Sequence, residues 1–244
     1  MNKKYILVTG ASRGIGRSTA LKFASEGYHV FLNCRSSLAE LHQVQNEILA
    51  MDGGSCTLVP GDVGNPDAVR QIFQQIRTIC PHLDVLVNNA GISHIGLLID
   101  MTDEEWNTLL ASNLSSVFYC SREALKDMVS AKSGRIINIS SMWGTTGASC
   151  EAAYSAAKAG MNGLTRALAK EYAPSSIPVN AIACGVIDTV MNSQLSKEEQ
   201  KQLAEEIPVG RFGTSDEVAE LVWKIANSPE YMTGQVIGID GGYI

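Results

Sequence analysis

Short apolar, β-branched runs alternate along the chain with longer stretches whose apolar positions recur every three or four residues. The runs at 5–9, 29–34, 56–59, 83–87, 135–140, 178–183 and 235–240 read as strands, and helical patterns fill the intervals. Strand runs that are apolar throughout, separated by helices, imply a mostly parallel sheet buried on both faces. The pattern therefore predicts an α/β protein: one domain over residues 1–244, with a doubly wound, seven-stranded, mostly parallel sheet and helices on both faces. The segment 189–207 breaks this rhythm. It is polar and charged, includes Ser196-Lys197-Glu198-Glu199-Gln200, and reads as a mobile lid.

In such sheets ligands bind outside the carboxyl ends of the strands. The first run is followed by Thr9-Gly10-Ala11-Ser12-Arg13-Gly14-Ile15-Gly16 and then a helical pattern over 17–26. Glycines at Gly10, Gly14 and Gly16 permit a tight turn, close backbone approach to a pyrophosphate and tight helix packing, and a helix N-terminus attracts negative charge. Ser12, Arg13 and Ile15 belong to the same loop. An NAD site is expected to carry an acid at the end of the second strand, but this chain has Asn33-Cys34-Arg35-Ser36. Arg13 and Arg35 can converge instead on a 2′-phosphate, which favours NADP(H), or else both are solvated surface charges. Further along, Asp62 and Val63 end the third strand region, where Asp62 could accept from an adenine amino group. Asn89, Ala90 and Gly91 follow the fourth, where small residues let backbone lie against a ribose.

Tyr154 and Lys158 stand one helical turn apart in an alanine-rich stretch, so both side chains share a face. A tyrosine beside an ammonium can give and take a proton near neutral pH. Moving its pKa from about 10 toward 7 needs roughly 4 kcal/mol, which one cation at about 4 Å supplies at an intermediate dielectric. Ser141 follows the fifth run, and Asn113 lies in Asn113-Leu114-Ser115-Ser116. Taken singly, Ser141 could cap a turn, Asn113 could be a surface amide, and Lys158 a solvated charge.

The formal charge of −6 argues against nucleic acid or anionic membrane as a partner. Six scattered cysteines form no Cys-x-x-Cys pair and no metal-like spacing with the histidines, which fits the reduced cytoplasm. No run reaches signal-peptide or membrane-spanning length.

With the glycine loop, Asn88-Asn89-Ala90-Gly91, Ser141 and Tyr154-x-x-x-Lys158 in this order, the chain resembles the short-chain dehydrogenase/reductases over essentially its whole length. It is most similar among them to the 3-oxoacyl-(acyl-carrier-protein) reductases. The resemblance implies a Rossmann-type domain and a tetrad of Asn113, Ser141, Tyr154 and Lys158. Ser141 would hold the substrate carbonyl, Tyr154 would protonate it, Lys158 would hold the cofactor ribose and favour the phenolate, and Asn113 would anchor a proton-relaying water. It further implies cofactor contacts from Ile187 and Thr189, a homotetramer built on the long helices together with the C-terminal strand near Gly241-Gly242, and fatty acid biosynthesis with an acyl carrier protein as possible partner. A cofactor-binding protein without turnover is the alternative of another class, and the complete tetrad argues against it.

Three departures qualify this. Ala183-Cys184-Gly185 stands where the family commonly has proline before the glycine. Near Ser175 a basic docking residue is missing, although Lys132 supplies the other. Glu151 stands where glutamine is usual, and a carboxylate near Trp143 would suit a substrate with an amine, as in a related branch resembling the reductases of 5-aminopentanone attached to elongation factor P. Glu151 could equally be solvent-exposed. His94 could touch substrate at the mouth of the site or be a plain loop residue.

Overall fold

Seven strands pair in one sheet in a computed structural model that describes residues 3–190 and 196–244. They are β1 (Tyr5–Val8), β2 (His29–Leu32), β3 (Ser55–Leu58), β4 (Val85–Asn88), β5 (Arg135–Ser141), β6 (Val179–Cys184) and β7 (Val236–Ile239). Their order is β3-β2-β1-β4-β5-β6-β7 and every pairing is parallel. The order reverses direction at β1 and β4, so a crevice opens between the loops that leave these two strands. Each strand falls within about two residues of its sequence-predicted run, because apolar runs this short leave little freedom in register.

Helices cover both faces. On one side α1 (Gly14–Ser25), α2 (Leu38–Leu49) and α9 (Ser215–Ala226) pack against the sheet, with Phe23 and Tyr28 edge-on to each other and to Trp223. On the other lie α3 (Pro66–Arg77), α5 (Ser116–Ala131) and α7 (Ala152–Tyr172), whose apolar sides meet Leu7, Phe31, Leu86 and Ile136. A short helix, α6 (Trp143–Thr146), and the helix α8 (Lys197–Glu206) border the crevice, while α4 (Asp103–Leu110) packs through Leu109 against Ala153 and Ala157 of α7. Of the predicted lid, residues 191–195 lie outside the described residues, and α8 forms most of the remainder. It begins with a capping box in which Ser196 and Glu199 satisfy each other's backbone N–H groups.

A buried polar chain crosses the second layer. Asn88 donates to the Asn138 side chain at 2.8 Å and to Ser121 at 3.2 Å, and Asn138 donates to Thr165 at 2.9 Å. These bonds tie β4, β5, α5 and α7 together at fixed height, and a partly satisfied version would cost more than an apolar core. They set the position of α7, which carries Tyr154 and Lys158. All six cysteines are free thiols, and no described helix is long and apolar enough to cross a membrane.

Candidate active site

The crevice at the carboxyl ends of the strands is a cleft of about 640 Å³. One end is built by the loop between β1 and α1. Thr9 fixes its base, since its hydroxyl accepts from the backbone N–H groups of Asn89 and Ala90 at 2.9 and 3.0 Å. The Asn89 amide donates to the carbonyls of Thr9 and Gly10, so its side chain holds the loop shape while the residue lines the cleft. Gly16 makes the tightest approach: a Cβ there would lie 2.2 Å from the Gly10 carbonyl oxygen. It therefore packs α1 against the loop and does not line the cleft, whereas Gly10, Ser12, Arg13, Gly14 and Ile15 do.

Helix α1 starts at Gly14 with no side-chain cap and no acidic residue in its first turn. Its first N–H groups are thus left for an anion from the cleft. Arg13 and Arg35 are exposed at the same end, line the cleft, and pair with no carboxylate among the described residues. Asp62, Val63, Ala90, Gly91, Ile187 and Thr189 continue the wall. Asp62 also accepts from the Gly64 N–H at 2.8 Å, which fixes its carboxylate at the turn. An uncapped helix start, two unpaired guanidiniums and small residues along the wall fit a dinucleotide phosphate.

The other end gathers the reactive side chains. Ser141 closes β5; its hydroxyl accepts from the Trp143 N–H at 3.2 Å and acts to lower the pKa of the neighbouring Tyr154 phenol. Lys158 sits one turn further along α7, with Nζ 5.5 Å from the centre of the Tyr154 ring and donating to the Ile139 carbonyl at 2.7 Å. All three line the cleft. Asn113 lies on a π-helical turn, 111–115, joining α4 to α5, and a π turn inserted in a helix re-aims its residues. Its amide is fully buried and engages Ile92 twice, accepting from the N–H and donating to the carbonyl, both at 2.7 Å. Asn113 is thus near Lys158 across Gly91 but off the cleft surface. Any water relay through it must use its main chain or a remaining lone pair.

The electrostatics differ from the expectation that the cation alone would favour the phenolate. Burial pushes the Tyr154 phenol above its ordinary range, more than the neighbouring Ser141 hydroxyl lowers it. The Lys158 ammonium is lowered by burial to about 8. Desolvation wins because Lys158 is buried and Tyr154 partly buried at the back of the cleft, where little water reaches either group. Tyr154 is therefore a protonated acid in the unliganded site, and Lys158 is the group that titrates near neutrality. Cys184 stands beside both; burial pushes its thiol up to about 12, so it packs rather than reacts.

Residues 4–200 match the short chain dehydrogenase family. The chain belongs to the short-chain dehydrogenases. It is 42% identical over 240 residues to the 3-oxoacyl-(acyl-carrier-protein) reductase of Staphylococcus aureus strain Mu50, covering 98% of this chain and 97% of that protein. It is 43% identical over 240 residues to the 3-oxoacyl-(acyl-carrier-protein) reductase of Synechocystis, covering 98% and 96%. A crystal structure of a putative gluconate dehydrogenase from Agrobacterium tumefaciens superposes with a TM-score of 0.93 at 32% identity, covering 98% of this chain and 95% of that one. This short-chain dehydrogenase is an oxidoreductase with the seven-stranded Rossmann-like sheet of the family.

Within the dehydrogenase, the substrate side of the cleft has features that single motifs do not reveal. Ile92, Ile95, Trp143, Val186, Val190 and Leu203 add apolar wall from four separate segments. The predicted lid at 189–207 and the stretch around Trp143 were the hints in the sequence, but loop residues show no periodicity that would pick out the individual side chains. Glu151 also lines the cleft, half-buried, and its carboxylate meets no donor or cation among the described residues. Burial raises its pKa. His94 does not line the cleft; its ring is 4.0 Å from Glu105, so it serves as a loop residue facing α4.

Proposed function

We propose that this chain reduces a ketone to a secondary alcohol with NADPH, and that a 3-oxoacyl thioester is its substrate. The observation that carries the reading is the convergence of Ser141, Tyr154 and Lys158 at one end of a cleft whose other end offers an uncapped helix start and two unpaired arginines. When bound, the reduced nicotinamide supplies a hydride. Ser141 orients the carbonyl oxygen by hydrogen bonding, and Tyr154 gives that oxygen its proton as the carbon gains the hydride. Lys158 then returns a proton to Tyr154, which its lowered pKa equips it to do. NADP(H) is favoured over NAD(H) by Arg13 and Arg35 and by the lack of an acid after β2.

The thioester is supported by the names of relatives at 42–43% identity and by the apolar substrate wall. Assembly through the outer faces of α5 and α7, where Phe118 is exposed, would give the homotetramer implied by the resemblance. The decisive assay follows NADPH oxidation with an acetoacetyl thioester. Wild type is expected to turn over, and Tyr154→Phe to lose activity while still binding NADPH. No turnover across a ketone panel despite NADPH binding would leave only a cofactor-binding protein.

One observation favours a second reading: a protein-bound or free ketone that carries an amine. Glu151 is a half-buried carboxylate without a partner, and a protonated amine would complete it. The docking cation missing near Ser175 points the same way, since an acidic carrier would meet less attraction. Glu151→Gln is expected to raise KM for an aminoketone selectively; equal effects on neutral and aminated ketones would rule this reading out.

A further inference from the structure

The C-terminal Tyr243 lies outside the reactive group yet joins two of the walls that face the substrate. Its hydroxyl donates to Glu206 Oε2 at 2.9 Å, in the last turn of α8. Its ring meets Trp143 edge-on at 6.0 Å with an interplanar angle of 70°. Trp143 lines the cleft two residues after Ser141, and Leu203, one turn before Glu206 on α8, lines it as well. The tail is built to hold this position. Gly241 and Gly242 adopt left-handed backbone with φ of 67° and 84°, and Val209 N–H bonds the Gly241 carbonyl at 3.2 Å. A Cβ on Gly241 would lie 2.8 Å from Ile207, so the tail runs directly against the segment that leaves α8.

We infer that Tyr243 is a positioning residue that clamps α8 and Trp143 together, and so sets the width of the substrate end of the cleft. The inference rests on the ketone-reduction reading for its kinetic consequence but not for the clamp itself. Tyr243→Phe removes the bond to Glu206 and keeps the ring on Trp143; Tyr243→Ala removes both. Expected results are a ketone KM raised about threefold in Tyr243→Phe and about tenfold in Tyr243→Ala. NADPH affinity should be unchanged in both, because the cofactor end is untouched.

Glu206→Ala should reproduce Tyr243→Phe, and combining the two should add nothing, since both remove the same bond. Hydrogen exchange tests the clamp without any turnover: amides of α8 should exchange faster in Tyr243→Phe while those of α1 and α7 keep their protection. Wild-type KM in both Tyr243 variants, additive effects of the Tyr243 and Glu206 changes, or unaltered exchange in α8 would each overturn the inference. If wild type reduces no ketone while α8 loses protection in the variant, the proposed function fails and the clamp stands.

Discussion

At the level of single residues the site is a contest between charge and burial, and burial sets the resting protonation. Tyr154 remains a phenol, and Lys158 titrates at about 8. Reduction needs proton donors, so its rate is expected to be highest below that value and to fall as pH rises through it. Oxidation of the alcohol should show the opposite slope, and paired pH profiles in the two directions check this. A stability consequence follows from the same shift. The unfolded chain holds the lysine proton up to its ordinary 10.5, the folded chain only to about 8. Folding therefore gives up stability throughout the range below 8 and recovers it between 8 and 10.5. Lys158→Met, which removes the buried charge and also its bond to Ile139, should stabilise the unliganded protein by about 1–3 kcal/mol at pH 7 while abolishing turnover. Urea denaturation at pH 7 and pH 10.5 measures it, and the gain should shrink at the higher pH.

At the level of elements, the geometry depends on a few contacts that fix how loops leave strands. Gly16→Ala would drive a Cβ into the Gly10 carbonyl, a backbone atom that cannot rotate away. A destabilisation of about 1–3 kcal/mol is expected, together with loss of NADPH binding, and both are read by thermal melts with and without the nucleotide. Gly16 was legible in the sequence as part of a phosphate loop, yet its task is to seat α1 on the turn. Asn113 shows the limit more sharply. Its place in the chain marked it, but that its amide would close on Ile92 depends on a π turn, and no residue pattern encodes one extra backbone atom group per turn. The strands, in contrast, followed directly from their apolar runs. The lid segment that supplies Val190 and Leu203 was legible as a break in the rhythm, but that these two side chains meet Ile95 and Trp143 was not, because segments distant in sequence meet only once the sheet is assembled. The raised pKa of the Tyr154 phenol in the unliganded site was not legible for a related reason: sequence gives the spacing of two groups and not the water they lose.

For the whole molecule, the question is how a chain of formal charge −6 comes to hold a polyanion. The answer lies in placement. Several cations are committed elsewhere: Arg77 to Glu123 and Asp127, Lys22 to Glu26 and Glu220, Arg211 to Glu217. Arg13 and Arg35 are not, and the strand order brings the loops after β1 and β2 side by side so that both flank the same end of the cleft. An unpaired guanidinium needs no existing bond broken before it takes a phosphate, and each charge-assisted contact is worth about 1.5–3 kcal/mol. Replacing both arginines by alanine is therefore expected to weaken NADPH binding by at least about a hundredfold while changing NADH binding by less than about threefold. Fluorescence titrations with both nucleotides, at low and high salt, test this. The preference of wild type for NADPH should also narrow as salt rises, because exposed arginines are screened within about 10 Å at 0.1 M ionic strength. Equal losses for the two nucleotides would mean that the arginines serve the shared pyrophosphate and that the extra phosphate is not what they recognise.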